Sequence, residues 1–379
     1  DDRAHPILGA RLKAAKPTAL VVAERAKGVR AIEALADELV AQARFLASHT
    51  SARAIGLIVN RVAEARRAFA QLGGHVANTD RDHDVVLLIG RMRSLDRDRV
   101  TQEWLSKLRA GEARERHALV RPVFVVATQT LEVGANLDFD ALVTECASLD
   151  ALRQRFGRLN RLGRAIPARG VIVIRADQVN PREDDPIYGP ALPATWAWLN
   201  ENAEAVETTA DGLHGRGNVQ VERVIDFGVS ALNERLQTPE NAERWSTLQA
   251  PAPSAPVMLP VHVDCWAQTA PPPAPSPEPA LFLHGPDTGA PDVQVVLRAD
   301  LDPGVSELAP WVETVSLCPP ASGEYLPVPL TLFRRWMRGI ADEDLMSGDV
   351  LGVGDPQDSV EPPPQRVTPH VLRWMGPDL

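Results

Sequence analysis

Apolar runs of about five residues alternate with longer amphipathic stretches over the first half of the chain. The short runs are typical of buried parallel strands, and the stretches between them repeat apolar residues every three or four positions, as helices do. The predicted strands cover residues 18–23, 54–60, 85–89, 123–127, 141–143 and 170–174. Since strands that alternate with helices favour right-handed β–α–β units, we expect an α/β fold with a parallel sheet.

The pattern changes near Ala176, because 29 of the 33 prolines follow it. Helical patterns at 193–206 and 219–236 lead into proline-dense segments, with strand-like runs at 257–263, 280–283 and 293–297 and a helix at 330–340. Seven of the eight tryptophans lie in this part, which indicates that it folds. We therefore predict a first domain at 1–176, a helical connector at 177–250 and a proline-rich α+β accessory domain at 251–379.

The net charge of −10 hides an asymmetry between these parts. Residues 1–176 hold 29 Lys and Arg against 20 Asp and Glu, whereas the remainder holds 11 against 30. The basic part is the candidate nucleic-acid surface. Three widely spaced cysteines argue against a zinc site and a disulfide framework, and they fit a reducing cytoplasm. We find no apolar run long enough to span a membrane, so we expect a cytoplasmic protein.

A helix predicted after Ser148 carries the most distinctive chemistry. Its apolar positions form one stripe, and Gln154, Arg158 and Arg161 follow at spacings of four and three, so we expect them to share another face. Gly157 lies between them, and its missing side chain lets a ligand come close. A glycine here lowers helix stability by about 1 kcal/mol relative to alanine. A helix that aligns its arginines in this way is better explained by polyanion binding than by solubility.

Residues 154–161, Gln-Arg-Phe-Gly-Arg-Leu-Asn-Arg, resemble motif VI of superfamily-two helicases. Residues 127–138 resemble motif V of these helicases, and Gly56 to Asn60 with the following helix is similar to motif IV. The amino-acid sequences of motifs V and VI are most similar to those of the CRISPR-associated helicase–nuclease of type I systems, in its type I-U (I-G) branch. This resemblance implies that residues 1–176 form a RecA-like helicase C-terminal domain.

The resemblance also implies roles for single residues. Arg158 and Arg161 would be arginine fingers for the γ-phosphate of ATP, with Gln154 beside them. Gly134, Asn136 and Asp138 would lie near the nucleotide, although the family usually has an acidic residue where Asn136 stands. Contacts to single-stranded DNA would come from motifs IV to VI and the segment after motif IV, through Asn60, Arg91, Arg93, Thr128, Gln129 and Arg155.

Implied cofactors are ATP and Mg²⁺, bound mainly by a first RecA-like half outside this chain, because we find no phosphate-binding Gly-x-x-x-x-Gly-Lys-Ser/Thr loop and no magnesium-binding acidic box. We expect no metal site here, a nuclease domain elsewhere, and an inactive fragment on its own. Implied partners are single-stranded DNA and a crRNA-guided surveillance complex. The alternatives are another superfamily-two helicase or a non-catalytic nucleic-acid-binding module, in which motif VI is only a basic patch.

Overall fold

A computed structural model of the chain describes residues 4–74, 82–111, 119–132, 136–182, 184–208, 220–251, 256–268, 279–284, 292–298, 301 and 309–337. The chain divides into two compact units, residues 1–250 and residues 251–379. No helix in the described ranges combines the length and the apolar character needed to cross a membrane.

The described part of the first unit is built on an eight-stranded sheet. Its strands are β1 (Pro17–Ala23), β2 (Ala54–Ile58), β3 (Asp84–Leu88), β4 (Val123–Ala127), β5 (Ala141–Glu145), β6 (Arg169–Arg175), β7 (Glu204–Thr208) and β8 (Gln220–Asp226). They lie in the order β3-β4-β2-β5-β6-β1-β8-β7. The first six are parallel to one another, while β8 pairs antiparallel with β1 and with β7. The predicted α/β class with a mostly parallel sheet is confirmed.

Helices cover both faces of this sheet. They are α1 (Pro6–Lys13), α2 (Ala31–His49), α3 (Val62–Gln71), α4 (Ser94–Val100), α5 (Ser106–Leu108), α6 (Leu149–Phe156), α7 (Ala176–Val179), α8 (Ala191–Asn202), α9 (Val229–Leu236) and α10 (Pro239–Arg244). One core packs α2 and α3 against one face, and the other core packs α6, α8 and α9 against the opposite face. Strands buried on both faces are apolar along their length, which is why the short runs stood out in the sequence.

The register of the parallel strands brings their carboxyl ends to one edge. Ile58 at the end of β2 lies opposite Ala127 of β4 and Thr144 of β5. The polar residues that directly follow β2 and β4, together with the end of β5, therefore meet at this edge. Parallel sheets of this kind bind their ligands here.

Residues 177–250 differ from the predicted helical connector. The stretch predicted as a helix over 219–236 begins as β8 and becomes helical only at Val229. Thr18 of β1 lies opposite Ile225 of β8, so pairing with the sheet overrides the local helical pattern. Residues 177–250 consequently belong to the first compact unit, and the predicted boundary near Ala176 falls inside it.

The second unit contains α11 (Pro260–Trp266), α12 (Pro279–His284), α13 (Ala309–Leu317) and α14 (Leu330–Met337), and its strands β9 (Asp292–Val295) and β10 (Leu326–Pro329) pair antiparallel. The strands predicted at 257–263 and 280–283 are wrong, because residues 260–263 belong to α11 and residues 280–283 to α12. A proline stands at the first position of each helix, where its missing N–H and fixed φ suit a helix start. None of the residues of this unit whose side-chain burial the structure describes is fully buried.

Candidate functional site at the carboxyl edge of the sheet

Helix α6 is shorter than the sequence predicts. It begins after Ser148, as expected, but it ends at Phe156, and Gly157 is its C-cap. The chain then pairs with the segment before β5: the N–H of Phe139 donates to the carbonyl of Arg158 at 2.7 Å, and the N–H of Asn160 donates to the carbonyl of Phe139 at 2.9 Å. The predicted common helix face of Gln154, Arg158 and Arg161 is therefore wrong.

Lys16, which directly precedes β1, forms a hydrogen bond with the C-terminal end of α6. Its buried Nζ donates to the carbonyl of Phe156 at 2.7 Å, where a helix leaves carbonyl groups without partners. Burial lowers the pKa of Lys16 to about 8, although the negative charges of Asp138 and Asp226 act in the opposite direction. The lysine thus fixes the point at which the chain leaves the helix.

The turn after α6 is closed by Asn160, whose φ of 40° lies in the left-handed region. Its side-chain oxygen accepts from the N–H of Arg164 at 2.8 Å, and its amide donates to the carbonyl of Arg164 at 3.0 Å. Asp138 accepts from the backbone N–H of Arg161 at 2.8 Å and from Nε of Arg164 at 2.9 Å. Since Asp138 is buried among these contacts, it positions Arg161 rather than facing a nucleotide.

Arg155 lies at the centre of the carboxyl edge and is 0% exposed. Its five N–H groups all donate within the chain, at 2.8 to 3.0 Å, to Oε1 of Glu132, Oγ1 of Thr144, the carbonyl of Glu145, Oδ1 of Asn60 and the hydroxyl of Tyr188. A guanidinium has five N–H groups, so none remains for a ligand. The predicted DNA contact by Arg155 does not fit, and the residue instead ties motifs IV, V and VI together.

Two further predicted DNA contacts are also buried. Asn60 donates through its amide to the carbonyl of Cys146 at 2.8 Å and accepts from Arg155, with 2% of its surface exposed. Thr128 is 1% exposed, and its backbone N–H donates to the carbonyl of Leu88 at 3.3 Å. We withdraw both from the set of DNA contacts. In a sequence, polar residues close to the end of a strand suggest a ligand site, but here they form hydrogen bonds with other buried groups of the protein.

The two predicted arginine fingers differ in their surroundings. Arg158 is half-buried and donates from Nε to the carbonyl of Leu131 at 3.0 Å and from Nη2 to the carbonyl of Glu132 at 2.8 Å. Arg161 is half-buried to a similar degree, but within the described ranges its guanidinium has no hydrogen-bond or ion-pair partner. Arg158 is thus committed to motif V, whereas Arg161 can still bind an anion.

The other predicted site residues are spread over this edge. Gln154 and Asn136 are exposed, and Gly134 lies outside the described residues. Gln129 is half-buried and donates from its amide to the carbonyl of Asn60 at 2.7 Å. Arg93 forms two bonds to Asp96 at 2.6 and 2.9 Å, and Arg91 is half-exposed. The roles of these residues stay predictions.

The sequence did not reveal a pair of buried acidic residues beneath this edge. Burial raises the pKa of Glu145 to about 8, and the neighbouring charge of Glu64 raises it further. Burial likewise raises the pKa of Glu64, and its two carboxylate oxygens have no hydrogen-bond partner in the described part of the chain. One Oε of Glu145 accepts from the N–H of Asn60 at 2.8 Å. In the sequence, the only available signal of this pair was that Glu145 ends the mostly apolar run of β5.

Comparisons with known proteins agree with the motifs. Residues 51–164 match the family model described as the C-terminal region of the CRISPR-associated nuclease/helicase Cas3. Cas3 of Methanothermobacter thermautotrophicus (strain Delta H) is 34% identical over 21% of this chain and 9% of its own length. A putative Cas3 of Myxococcus xanthus (strain DK1622) is 32% identical over 33% of this chain and 18% of its own length. The chain therefore spans less than a fifth of these curated relatives.

Among solved structures, the chain is similar to that titled T. fusca Cas3-ADP, at 24% sequence identity and a TM-score of 0.33. The similarity covers 42% of this chain and 18% of that chain.

Proposed function

We propose that this chain carries the C-terminal helicase half of a Cas3 protein and acts as the second RecA-like domain of an ATP-dependent DNA translocase in CRISPR antiviral defence. The observation that supports this most is the half-exposed guanidinium of Arg161. Its backbone is fixed by Asp138, and its side chain has no partner in the described ranges. A rigidly placed cation of this kind stabilises the charge on a transferring phosphoryl group. The narrower type I-U (I-G) branch stays a prediction.

The residues present fit only the phosphate end of ATP. When bound, ATP supplies the γ-phosphoryl group whose transfer to water drives movement. Arg161 offers it a cation and the exposed Gln154 an amide. Within the described ranges no group of three or more His, Cys, Asp or Glu could hold a metal ion, so these residues do not fit a magnesium site. We propose that a first RecA-like half binds most of the nucleotide and the Mg²⁺.

Arg158 has a different role in this proposal from that of a second finger. Its two bonds end on the carbonyls of Leu131 and Glu132, which belong to motif V. Movement of motif V on DNA would therefore be transmitted through Arg158 to the turn that carries Arg161. Arg158 is a positioning residue and Arg161 is the finger.

The DNA-facing residues of the proposal are those that remain accessible. Gln129 follows β4, and Arg91 and Arg93 follow β3; each is half-buried, so part of its side chain remains in contact with water. Arginine binds phosphate through its planar fork, so these side chains suit a DNA backbone. We also propose, from the family, recruitment by a crRNA-guided surveillance complex and a nuclease domain outside this chain.

The test is ATP hydrolysis with and without single-stranded DNA. One sample is this chain alone, and the other combines it with its first RecA-like half. We expect DNA-stimulated hydrolysis only in the combination, because the proposal assigns most of the nucleotide binding and the Mg²⁺ to the first RecA-like half. If both samples are inactive while binding of single-stranded DNA persists and weakens with salt, the motor is excluded and the chain is the binding module.

A further inference from the structure

Tyr188 lies outside the region that matches the family model, in the loop between α7 and α8. The loop folds around Asp185, whose side chain accepts from the N–H groups of Ile187 and Tyr188 at 2.9 Å. Gly189 donates its N–H to the carbonyl of Asp185 at 2.7 Å and has a φ of 52°. These bonds direct Tyr188 into the core, where it is 4% exposed.

The hydroxyl of Tyr188 reaches the centre of the site described above. It accepts from Nη2 of Arg155 at 2.9 Å. Burial raises the pKa of Tyr188 to about 12, against the opposing charge of Arg155, and the nearby side chain of Gln129 acts in the same direction as Arg155. The tyrosine therefore stays neutral, binds Arg155 of motif VI directly and lies beside Gln129 of motif V.

Packing alone does not explain this hydroxyl. Phenylalanine would fill the same apolar space, whereas the hydroxyl provides the fifth acceptor of a buried arginine. The other four acceptors belong to Asn60, Glu132 and the end of β5. A buried N–H left without an acceptor is costly, so losing the hydroxyl would shift Arg155 and the residues that it holds.

We propose that Tyr188 is a positioning residue that couples DNA binding at motif V to the arginine finger turn of motif VI, acting through Arg155. This inference rests on the proposed function. When DNA displaces Gln129 or Glu132, the change reaches Arg155 and its helix only if Arg155 is held firmly from the other side. Tyr188 holds it there from a segment that carries no helicase motif.

The experiment uses Tyr188→Phe, in the protein that joins this chain to its first RecA-like half. The chain has only two tyrosines, so Tyr325→Phe makes the same chemical change in the second unit and is the matched control. We expect Tyr188→Phe to raise the DNA concentration for half-maximal ATPase about tenfold, with a smaller change in kcat at saturating DNA. Tyr325→Phe should match the wild type, and denaturant unfolding of each variant shows whether folding is retained.

A second measurement does not depend on hydrolysis. With 3-fluorotyrosine at both tyrosines of this chain on its own, the ¹⁹F NMR spectrum has two resonances, which Tyr325→Phe assigns. Addition of single-stranded DNA should shift the Tyr188 resonance. An inactive wild type whose Tyr188 resonance still responds to DNA would exclude the motor while supporting Tyr188 as a sensor of motif V. An unmoved resonance together with an unchanged half-maximal DNA concentration would overturn the proposal.

Discussion

Motif VI consists of two regions that use arginine in opposite ways. In α6, Arg155 is fully buried and each of its N–H groups has an acceptor. In the turn at residues 157–164, Arg161 is half-exposed, and no partner of its guanidinium lies in the described ranges. The same side chain six positions apart is structural in one place and available to a ligand in the other. Its surroundings decide the role.

The energetic reason is desolvation. Moving a guanidinium out of water costs several kcal/mol, and only excellent geometry compensates for it. Arg155 meets that condition, so removing it would leave its acceptors and Glu132 without their partner. Arg161 stays in contact with water and therefore contributes little to folding. Substitutions at Arg155, at Arg161 and around them test this contrast.

The largest effect on stability is expected for Arg155→Ala. Breaking a buried, hydrogen-bonded charge pair costs about 3–5 kcal/mol, so the free energy of unfolding should fall by that amount. Denaturant unfolding of the chain measures this loss, and Arg161→Ala, which removes the arginine of the turn, is the control. A loss below about 1 kcal/mol would show that the five bonds contribute little to folding.

A smaller loss is expected for Gly163→Ala in the finger turn. Gly163 has a φ of 67°, and an added Cβ would lie 2.3 Å from the carbonyl oxygen of Ala10. Gly28→Ala is the matched control, because its φ is 63° and no atom lies within 4 Å of the added Cβ. Both variants carry the backbone strain of about 1–2 kcal/mol, and Gly163→Ala should lose at least about 1 kcal/mol more. Equal losses would mean that α1 does not pack tightly against this turn.

The buried glutamates beneath Arg155 predict a pH dependence. The pKa of Glu145 is about 8 in the folded protein against a usual value of 4.5, so between these values the folded state binds more protons than the unfolded state. The stabilisation that Glu145 contributes to the folded state is fully present below pH 4.5. It is lost as the pH rises toward 8, by at most about 1.4 kcal/mol per pH unit. Glu145→Gln should make the unfolding free energy fall less with pH over this window than in the wild type. An unchanged slope would mean that Glu145 is ionised when folded.

The smallest effect on stability is expected for Arg161→Ala. A surface substitution that removes no fixed contact usually changes the free energy of unfolding by less than about 0.5 kcal/mol. Denaturant unfolding checks this in parallel with Arg155→Ala. A loss comparable to that of Arg155→Ala would erase the contrast between α6 and the turn.

The sequence predicted strands correctly where burial produces an unbroken run of apolar residues along the chain. The runs at residues 123–127 and 170–174 lie within strands β4 and β6, because central strands must be apolar on both faces. Residues 220–226 carried a helical pattern but form strand β8 by pairing with β1 and β7, which no local pattern shows. Single-sequence periodicity cannot report a partner 200 residues away.

The same limit applies to the site. The motif residues do meet at the carboxyl edge, but their spacing assumed a helix that continued to Arg161. Pairing with Phe139 ends the helix at Phe156, so Gln154, Arg158 and Arg161 do not share a helix face. Arg155, which was predicted to contact DNA, is buried. Tyr188 and Glu145 could not be recognised, because one is a tyrosine in a loop and the other a single acidic residue. Their role follows only from what lies around them.

The most direct test of the account is DNA-stimulated ATPase in the protein that joins this chain to its first RecA-like half, measured for the wild type and for Arg161→Ala. An arginine finger contributes about a thousandfold or more to the rate, so the variant should lose at least that factor while keeping its unfolding free energy. Hydrolysis by Arg161→Ala within about threefold of the wild-type rate would contradict the account, because the arginine proposed as the finger would then have no part in the reaction.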